Sequence, residues 1–199
     1  MEHLDSLFQR YDRILIFDTE TTGLRFDRDE IIQFSAVVLE RSGVTQQYDR
    51  LIRLAPGQQV PPEIQRLTGI TTQDVEQRGI SRDQAAREIA GLLAGNTLLT
   101  AYNAHFDLSF LFHMLRVHGD PGCLRGKDKL DLLTVYRDRR AYPHKLRDAI
   151  AAYGLVSLDK NFTALKNLEF LDLSSNNFQK IPDEINPTNF PKLRTLLMG

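Results

Sequence analysis

The chain has 199 residues, of which 42% are hydrophobic and 26% charged, the balance of a soluble globular protein with one domain of ordinary size or one domain plus an appendage. No apolar run reaches the length of a membrane span, and Met1-Glu2-His3-Leu4-Asp5 lacks the basic and apolar regions of a secretory signal, so a cytoplasmic location without membrane contact is expected. The net charge of −1 excludes a global basic field for coating duplex nucleic acid, and a single cysteine, Cys123, excludes an internal disulfide and a cysteine-rich zinc site.

Residues 1–12 read as a short helix or arm. Ile14-Leu15-Ile16-Phe17 then predicts a buried strand that runs into Asp18-Thr19-Glu20-Thr21-Thr22-Gly23-Leu24. Side chains alternate along a strand, so Asp18 and Glu20 share a face roughly 6.6 Å apart, with Thr19 on the other. Two carboxylates so placed repel each other. A divalent cation removes that conflict, and paired ions about 3.5–4 Å apart are used for phosphodiester cleavage. Gly23 is expected to let the backbone turn sharply after the pair. The string Phe17 to Leu24 resembles the first motif of the DEDD-type 3′→5′ exonucleases, the superfamily of proofreading subunits and RNase T-like enzymes.

Strands over Ile31–Leu39 and Val44–Leu54, joined at Arg41-Ser42-Gly43, complete an antiparallel meander. Pro56-Gly57 and Pro61-Pro62 break it. Leu67-Thr68-Gly69-Ile70-Thr71 follows as a short helix capped by Gly69, and it resembles a segment of polymerase III-type proofreading exonucleases that shapes the nucleotide pocket. Ser81 and Gln84 have the spacing of a capping box at the head of a helix over 81–94, with Ala85, Ile89, Leu92 and Leu93 as its buried stripe. A short buried strand is expected over Thr97–Ala101. A helix follows to about His118, with Phe110, Leu111, Met114 and Leu115 turned to the core. Asp107 lies in its first turn, where the helix dipole favours a carboxylate. Asn103-Ala104-His105-Phe106-Asp107 resembles the second exonuclease motif. His105 and His113 have no metal-ligand spacing.

Gly126–Leu130 reads as a strand, Asp131 as the opening of a helix through Tyr136, and His144–Tyr153 as a further helix. The bases Arg125, Lys127, Lys129, Arg137, Arg139, Arg140, Lys145 and Arg147 are interleaved with Asp128, Asp131, Asp138 and Asp148. A phosphate-facing patch is one reading, and a solvated, salt-bridged surface is the commoner outcome. The histidine branch of the family completes its metal site and supplies its general base with His-x-x-x-x-Asp. No such pattern follows His144, and Tyr-x-x-x-Asp is absent there too. The tail instead runs Leu165-x-x-Leu168-x-x-Leu171-x-Leu173-x-x-Asn176-x-Phe178. Leu168, Leu171 and Leu173 recur 25 residues on as Leu193, Leu196 and Met198. This resembles one leucine-rich repeat and the start of another, too few to stand alone.

The expected architecture is therefore α/β: an RNase H-like exonuclease fold, a mixed sheet flanked by helices, with a short leucine-rich-repeat-like C-terminal segment. Residues 1–156 form the exonuclease-like domain, its resemblance strongest over about 10–155, and 157–199 the incomplete tail of a natural fusion or chimera. The resemblance implies 3′→5′ hydrolysis of single-stranded DNA or RNA ends, as in replication or repair. Asp18, Glu20 and Asp107 would converge on two magnesium or manganese ions, and Thr21, Leu24, Asn103 and Phe106 would position the terminal nucleotides. Loss of the third motif implies impaired turnover. The alternatives are an inactive exonuclease fold that binds strand ends and a leucine-rich interaction module, whose tail would contact a polymerase or another protein.

Overall fold

The computed structural model describes residues 6–153, together with the backbone of two short strands at 170–172 and 195–197. The chain divides into two compact units, Met1–Arg140 and Ala141–Gly199. The first contains β1 (Arg13–Thr21), β2 (Ile31–Glu40), β3 (Gly43–Leu51), α1 (Pro62–Thr68), α2 (Thr72–Arg78), α3 (Arg82–Leu93), β4 (Thr97–Ala101), α4 (Ala104–His118), β5 (Lys129–Asp131) and α5 (Leu132–Arg139). Its sheet has the order β3-β2-β1-β4-β5. The expected meander is present as antiparallel β1–β2 and β2–β3 ladders. β4 and β5 join it in parallel on the other side of β1, so the sheet is mixed and β1 is its central strand.

The alternation of β1 decides what each face does. Leu15 and Phe17 point into the main core, where Phe17 stacks on Phe34 with ring centroids 5.7 Å apart. α3 and α4 cover this side with the apolar stripes that their 3.6-residue period predicts: Ala85, Ile89, Leu92 and Leu93 from α3, and Phe110, Leu111, Met114 and Leu115 from α4. Burying each of the large side chains contributes about 1.5–3 kcal/mol relative to exposure. On the opposite face Ile14 packs with Tyr11 and Leu98, while Ile16 is 40% exposed. Asp18 and Glu20 lie on this second face, beyond Ile16.

Element ends follow local chemistry. The Ser81 side chain accepts from the Gln84 N–H at 3.2 Å, as the capping spacing predicts. The return half of the box is diverted, because Gln84 Nε2 donates to Glu88 Oε1 at 2.8 Å. Gly69 caps α1 in the left-handed region at φ 74°, a conformation that lacks a penalty only without a Cβ. β5 starts at Lys129 rather than Gly126, because Gly126 has φ +71° and keeps the chain in its turn. β3 ends at Leu51, after which Ile52 forms an isolated bridge to Ile80. Asp131 caps α5 by accepting from the Leu133 N–H at 2.9 Å.

The second unit contains α6 (Leu146–Ala152), β6 (Phe170–Asp172) and β7 (Thr195–Leu197). β6 and β7 pair in parallel, Phe170 with Thr195 and Asp172 with Leu197. The strand at 170–172 is incompatible with one continuous helix over 163–178. The rest of the leucine-rich tail, with the side chains of Asp159, Glu169 and Asp172, lies outside the described residues. Among the described residues, no helix is long and apolar enough to cross a membrane.

Candidate active site

Three carboxylates were expected to converge where β1 ends and α4 begins. Asp18 is exposed and Glu20 half-buried, both on the second face of the sheet. The β1–β2 register slips between Glu20 and Thr21, an irregularity of the kind that re-aims side chains beside functional sites. Asp107 is buried, with 3% of its surface exposed. The β1–β4 ladder stops at Ile16 and Thr100. Beyond that point Asp107 serves β1 instead: its Oδ1 accepts from the Thr19 backbone N–H at 3.0 Å and from Thr19 Oγ1 at 2.7 Å.

Burial pushes the Asp107 carboxyl up to about 6, and the negative charge of Asp18 adds to the shift, while the Thr19 hydrogen bonds act in the opposite direction. Asp18 and Asp107 are therefore close enough to compete for charge. Among the described residues, no three His, Cys, Asp or Glu side chains form a group that could hold a metal ion. One oxygen of Asp107 is committed to Thr19. The donor chemistry fits a hard cation, because carboxylate oxygens are the preferred ligands of magnesium and manganese and a cation would offset both the burial of the Asp107 charge and its repulsion by Asp18.

The loop after β1 is tied down at several points. Thr21 Oγ1 donates to the Gly23 carbonyl at 2.6 Å. The Thr22 N–H donates to the Glu30 carbonyl at 2.9 Å, and Thr22 Oγ1 accepts from the Glu30 N–H at 2.9 Å. The Arg25 N–H donates to Asp29 Oδ2 at 2.8 Å. Gly23 is needed for a different reason from the sharp turn that the sequence suggests. It is not among the glycines with positive φ, but a Cβ there would lie 2.4 Å from Asp29 Oδ2. Thr21 is thus buried and engaged in holding the loop, whereas Leu24 is 83% exposed on it. Asn103 stands before α4 in the left-handed region, φ 70° and ψ 48°, with its side chain exposed. Its backbone N–H donates to Asp131 Oδ1 at 3.1 Å. Phe106 is half-buried against the core and lies 4.9 Å from the Phe110 ring, centroid to centroid.

Two residues at the site escape sequence reasoning. Thr19 reads as an ordinary strand residue, yet it is the hydrogen-bond donor that fixes Asp107. Asp131 reads as a helix start, which it is, but it also holds the backbone of Asn103, 28 residues away. A carboxylate at a strand-to-helix junction was the available signal for Asp131. For Thr19 there was none beyond its place between two acids.

A mixed five-stranded sheet with carboxylates near the end of its central strand, and a buried third in the first turn of the helix that follows β4, is the architecture of an RNase H-like nuclease. The RNase T exonuclease family matches residues 15–166. The chain belongs to this exonuclease family. It is 37% identical over 108 residues to the 3′-5′ exonuclease DinG of Bacillus subtilis, covering 54% of this chain and 11% of that protein. It is 35% identical over 95 residues to the DNA polymerase III subunit epsilon of Treponema pallidum, covering 48% of this chain and 42% of that one. The chain thus spans less than half the length of either relative. Among solved structures, product-bound exonuclease I superposes with a TM-score of 0.67 at 21% identity, covering 75% of this chain and 40% of that one. Escherichia coli exonuclease I in complex with a dT13 oligonucleotide gives 0.65 at 21% identity, covering 73% and 36%.

Proposed function

We propose that this chain hydrolyses single-stranded DNA or RNA from the 3′ end and releases nucleotides. Asp18, Glu20 and Asp107 are the metal ligands in this reading, and Thr21, Leu24, Asn103 and Phe106 position the terminal nucleotides. The observation that carries it is the pairing of a buried Asp107 with the charge of Asp18 at the end of the central strand. A carboxylate raised chiefly by burial and further by a neighbouring acid is costly to ionise without a cation, and such arrangements concentrate at functional sites. Magnesium or manganese ions held there would activate water and stabilise the departing 3′-oxygen.

The residues of the chain do the positioning. The Thr19 hydroxyl and N–H hold one Asp107 oxygen, which fixes the direction of the other. Leu24, exposed on a tied loop, offers apolar contact to a base, and the half-buried Phe106 ring offers a partner for stacking. Asn103, held in place by Asp131, presents a polar side chain beside them. The chain has no His-x-x-x-x-Asp after residue 144 to supply a general base, so turnover is slow in this reading.

A second reading, in which the chain binds strand ends without cutting them, is favoured by that same missing histidine. The domain division proposed is 1–156 and 157–199. The tail is read as a leucine-rich-repeat-like segment that would contact a polymerase or another protein. The support for it is the parallel β6–β7 pairing, whose register matches the recurrence of the leucines. Similarity to a DNA polymerase III subunit supports a cytoplasmic location. The test of the main reading is digestion of a 5′-labelled single strand with manganese, with Asp18→Ala as the blank. Laddering from the 3′ end that is lost in the blank is the expected result. Metal-dependent retention of the strand without laddering would favour the second reading.

A further inference from the structure

A cleft of about 610 Å³ opens on the outer side of α4, lined by Phe26, His105, Ser109, Phe112, Arg125 and Lys129 among others. Its size falls within the roughly 300–1,000 Å³ of ligand sites. His105, Ser109 and Phe112 lie at i, i+4 and i+7 on α4 and so form one stripe on the solvent side of the helix. Phe26 and Phe112 expose 50% and 49% of their surface, unusual for phenylalanine on a soluble surface. Phe26 stands on the loop that the Thr22–Glu30 and Arg25–Asp29 hydrogen bonds hold, so its ring is presented by an ordered support.

The charges sort themselves around this cleft. In the segment 125–129, Lys127 is turned away to the Gly95 carbonyl. Asp128 is taken by Arg10 at 3.0 Å and by the Tyr11 hydroxyl at 2.6 Å. Arg125 and Lys129 remain exposed and line the cleft, and neither forms a salt bridge among the described residues. The described lining includes no Asp or Glu. The sequence favours a solvated, salt-bridged surface for this stretch. Asp128 forms a salt bridge of that kind with Arg10, while Arg125 and Lys129 have none among the described residues.

We propose that this cleft binds the single strand upstream of its 3′ end, with bases stacked on Phe26 and Phe112 and phosphates on Arg125 and Lys129. The proposal rests on the exonuclease reading for its polarity. Two cations without a carboxylate in the described lining suit a polyanion, and exposed rings in the same cleft suit unstacked bases, the usual combination for single-strand binding. The cleft and the candidate active site are built on two shared elements. α4 carries Asp107 and Phe112 five residues apart, roughly 7.5 Å along the helix axis. The loop after β1 carries both Leu24 and Phe26.

The test separates the cleft from the chemistry. Binding of fluorescein-labelled dT2 and dT12 to the full chain is measured by anisotropy in EDTA, so that nothing is cut. Cleavage of the labelled dinucleotide with manganese is measured apart, with Asp18→Ala as its blank. The wild type should hold dT12 more tightly than dT2. Arg125→Glu with Lys129→Glu should weaken dT12 about 10-fold or more and make its salt slope shallower by about 1.4, at roughly 0.7 per phosphate contact on a single strand. Phe112→Ala should weaken dT12 about 10-fold. Binding and cleavage of dT2 should be unchanged in all of them, and Arg125→Lys with Lys129→Arg should keep dT12 affinity. Equal affinity for the two lengths in the wild type, unchanged dT12 affinity in the charge-reversed variant, or equal losses on dT2 and dT12 would each overturn the proposal. The second outcome would leave the cleft to a peptide or another ligand. Dinucleotide cleavage that persists in Asp18→Ala, or is absent from the wild type, counts against the active-site reading and leaves the anisotropy result intact.

Discussion

Thr19 and Asp107 are 88 residues apart in sequence and share a single carboxylate oxygen, which accepts from both the backbone N–H and the hydroxyl of the threonine. The central strand and the helix after β4 are locked together at the point where the parallel ladder gives out. The threonine also limits how far burial and Asp18 can raise the Asp107 carboxyl. Thr19→Val keeps the N–H donor and the shape but removes the hydroxyl. We expect a loss of about 1.5–3 kcal/mol, the range for a hydrogen bond to a charged group. The Asp107 carboxyl should rise further, so the acid limb of the pH–activity profile should move to higher pH. An acid limb in the same place as in the wild type would mean that the hydroxyl does not tune Asp107.

The same carboxyl makes stability depend on pH. Its folded value of about 6 lies above the ordinary carboxylate value of 3.8. Between those two values the folded chain keeps a proton that the unfolded chain has released. The stability that this proton confers is complete below the lower value and is lost as pH rises through the upper one. Asp74, Asp27 and Glu88 are lowered by their hydrogen-bond partners and act in the opposite sense, so a comparison with Asp107→Asn isolates the effect. The amide oxygen can still accept from Thr19. Above pH 7 the variant should be more stable than the wild type, by roughly 2–3 kcal/mol. At pH 4 the difference should nearly vanish. Denaturant melts at the two pH values provide the measurement, and a gap independent of pH would refute the assignment.

Much of this arrangement was legible in the sequence. The apolar run Ile14–Phe17 predicts a buried strand, and the structure buries Ile14, Leu15 and Phe17 but leaves Ile16 40% exposed, whereas the 3.6-residue stripe of Phe110, Leu111, Met114 and Leu115 is buried as read. The termini depended on single residues: Gly126, whose left-handed φ delays β5, and Gln84, whose amide has a better partner in Glu88 than in the cap. The reason for Gly23 was misread, because the close approach of Asp29 comes from a loop closure that local sequence does not encode. The Thr19–Asp107 bond and the Asn103–Asp131 bond were invisible for the same reason. Thr19 and Asp107 are brought together by the insertion of β4 beside β1, and Asn103 and Asp131 by the pairing of β5 with β4. The convergence of three acids on one metal site is an expectation from the motifs, and its support is the buried Asp107 carboxyl, raised by burial and by the charge of Asp18.

Gly23 gives a local test of that loop closure. A Cβ at this position would meet Asp29 Oδ2 at 2.4 Å and Oδ1 at 2.9 Å, too close for either to stay. Gly23→Ala should displace the Asp29 side chain, break its bond from the Arg25 N–H, and cost about 1–3 kcal/mol, the range for an overpacked contact. In an Asp29→Ala background most of that cost should disappear. A double-mutant cycle read by thermal melts measures the coupling. An equal cost in both backgrounds would mean that the glycine matters for backbone conformation and not for the approach of Asp29.

Metal dependence tests the site as a whole. Removing Asp18 takes away both a proposed ligand and the charge that helps raise Asp107. Asp18→Asn should therefore lower the Asp107 carboxyl and yet weaken manganese binding in calorimetric titration, a combination that a purely structural aspartate would not produce. With the third motif absent, a general base is missing, and such a base typically contributes about 10²–10⁴-fold. Magnesium demands near-ideal octahedral geometry at about 2.0–2.1 Å, which a ligand set without the aspartate of the third motif does not offer. Manganese should then support more residual cleavage than magnesium on a 5′-labelled strand, with both rates far below those of a relative that has the complete third motif. Equal rates with the two metals, at the speed of an intact enzyme, would show that another residue of this chain does the work of the missing histidine and aspartate.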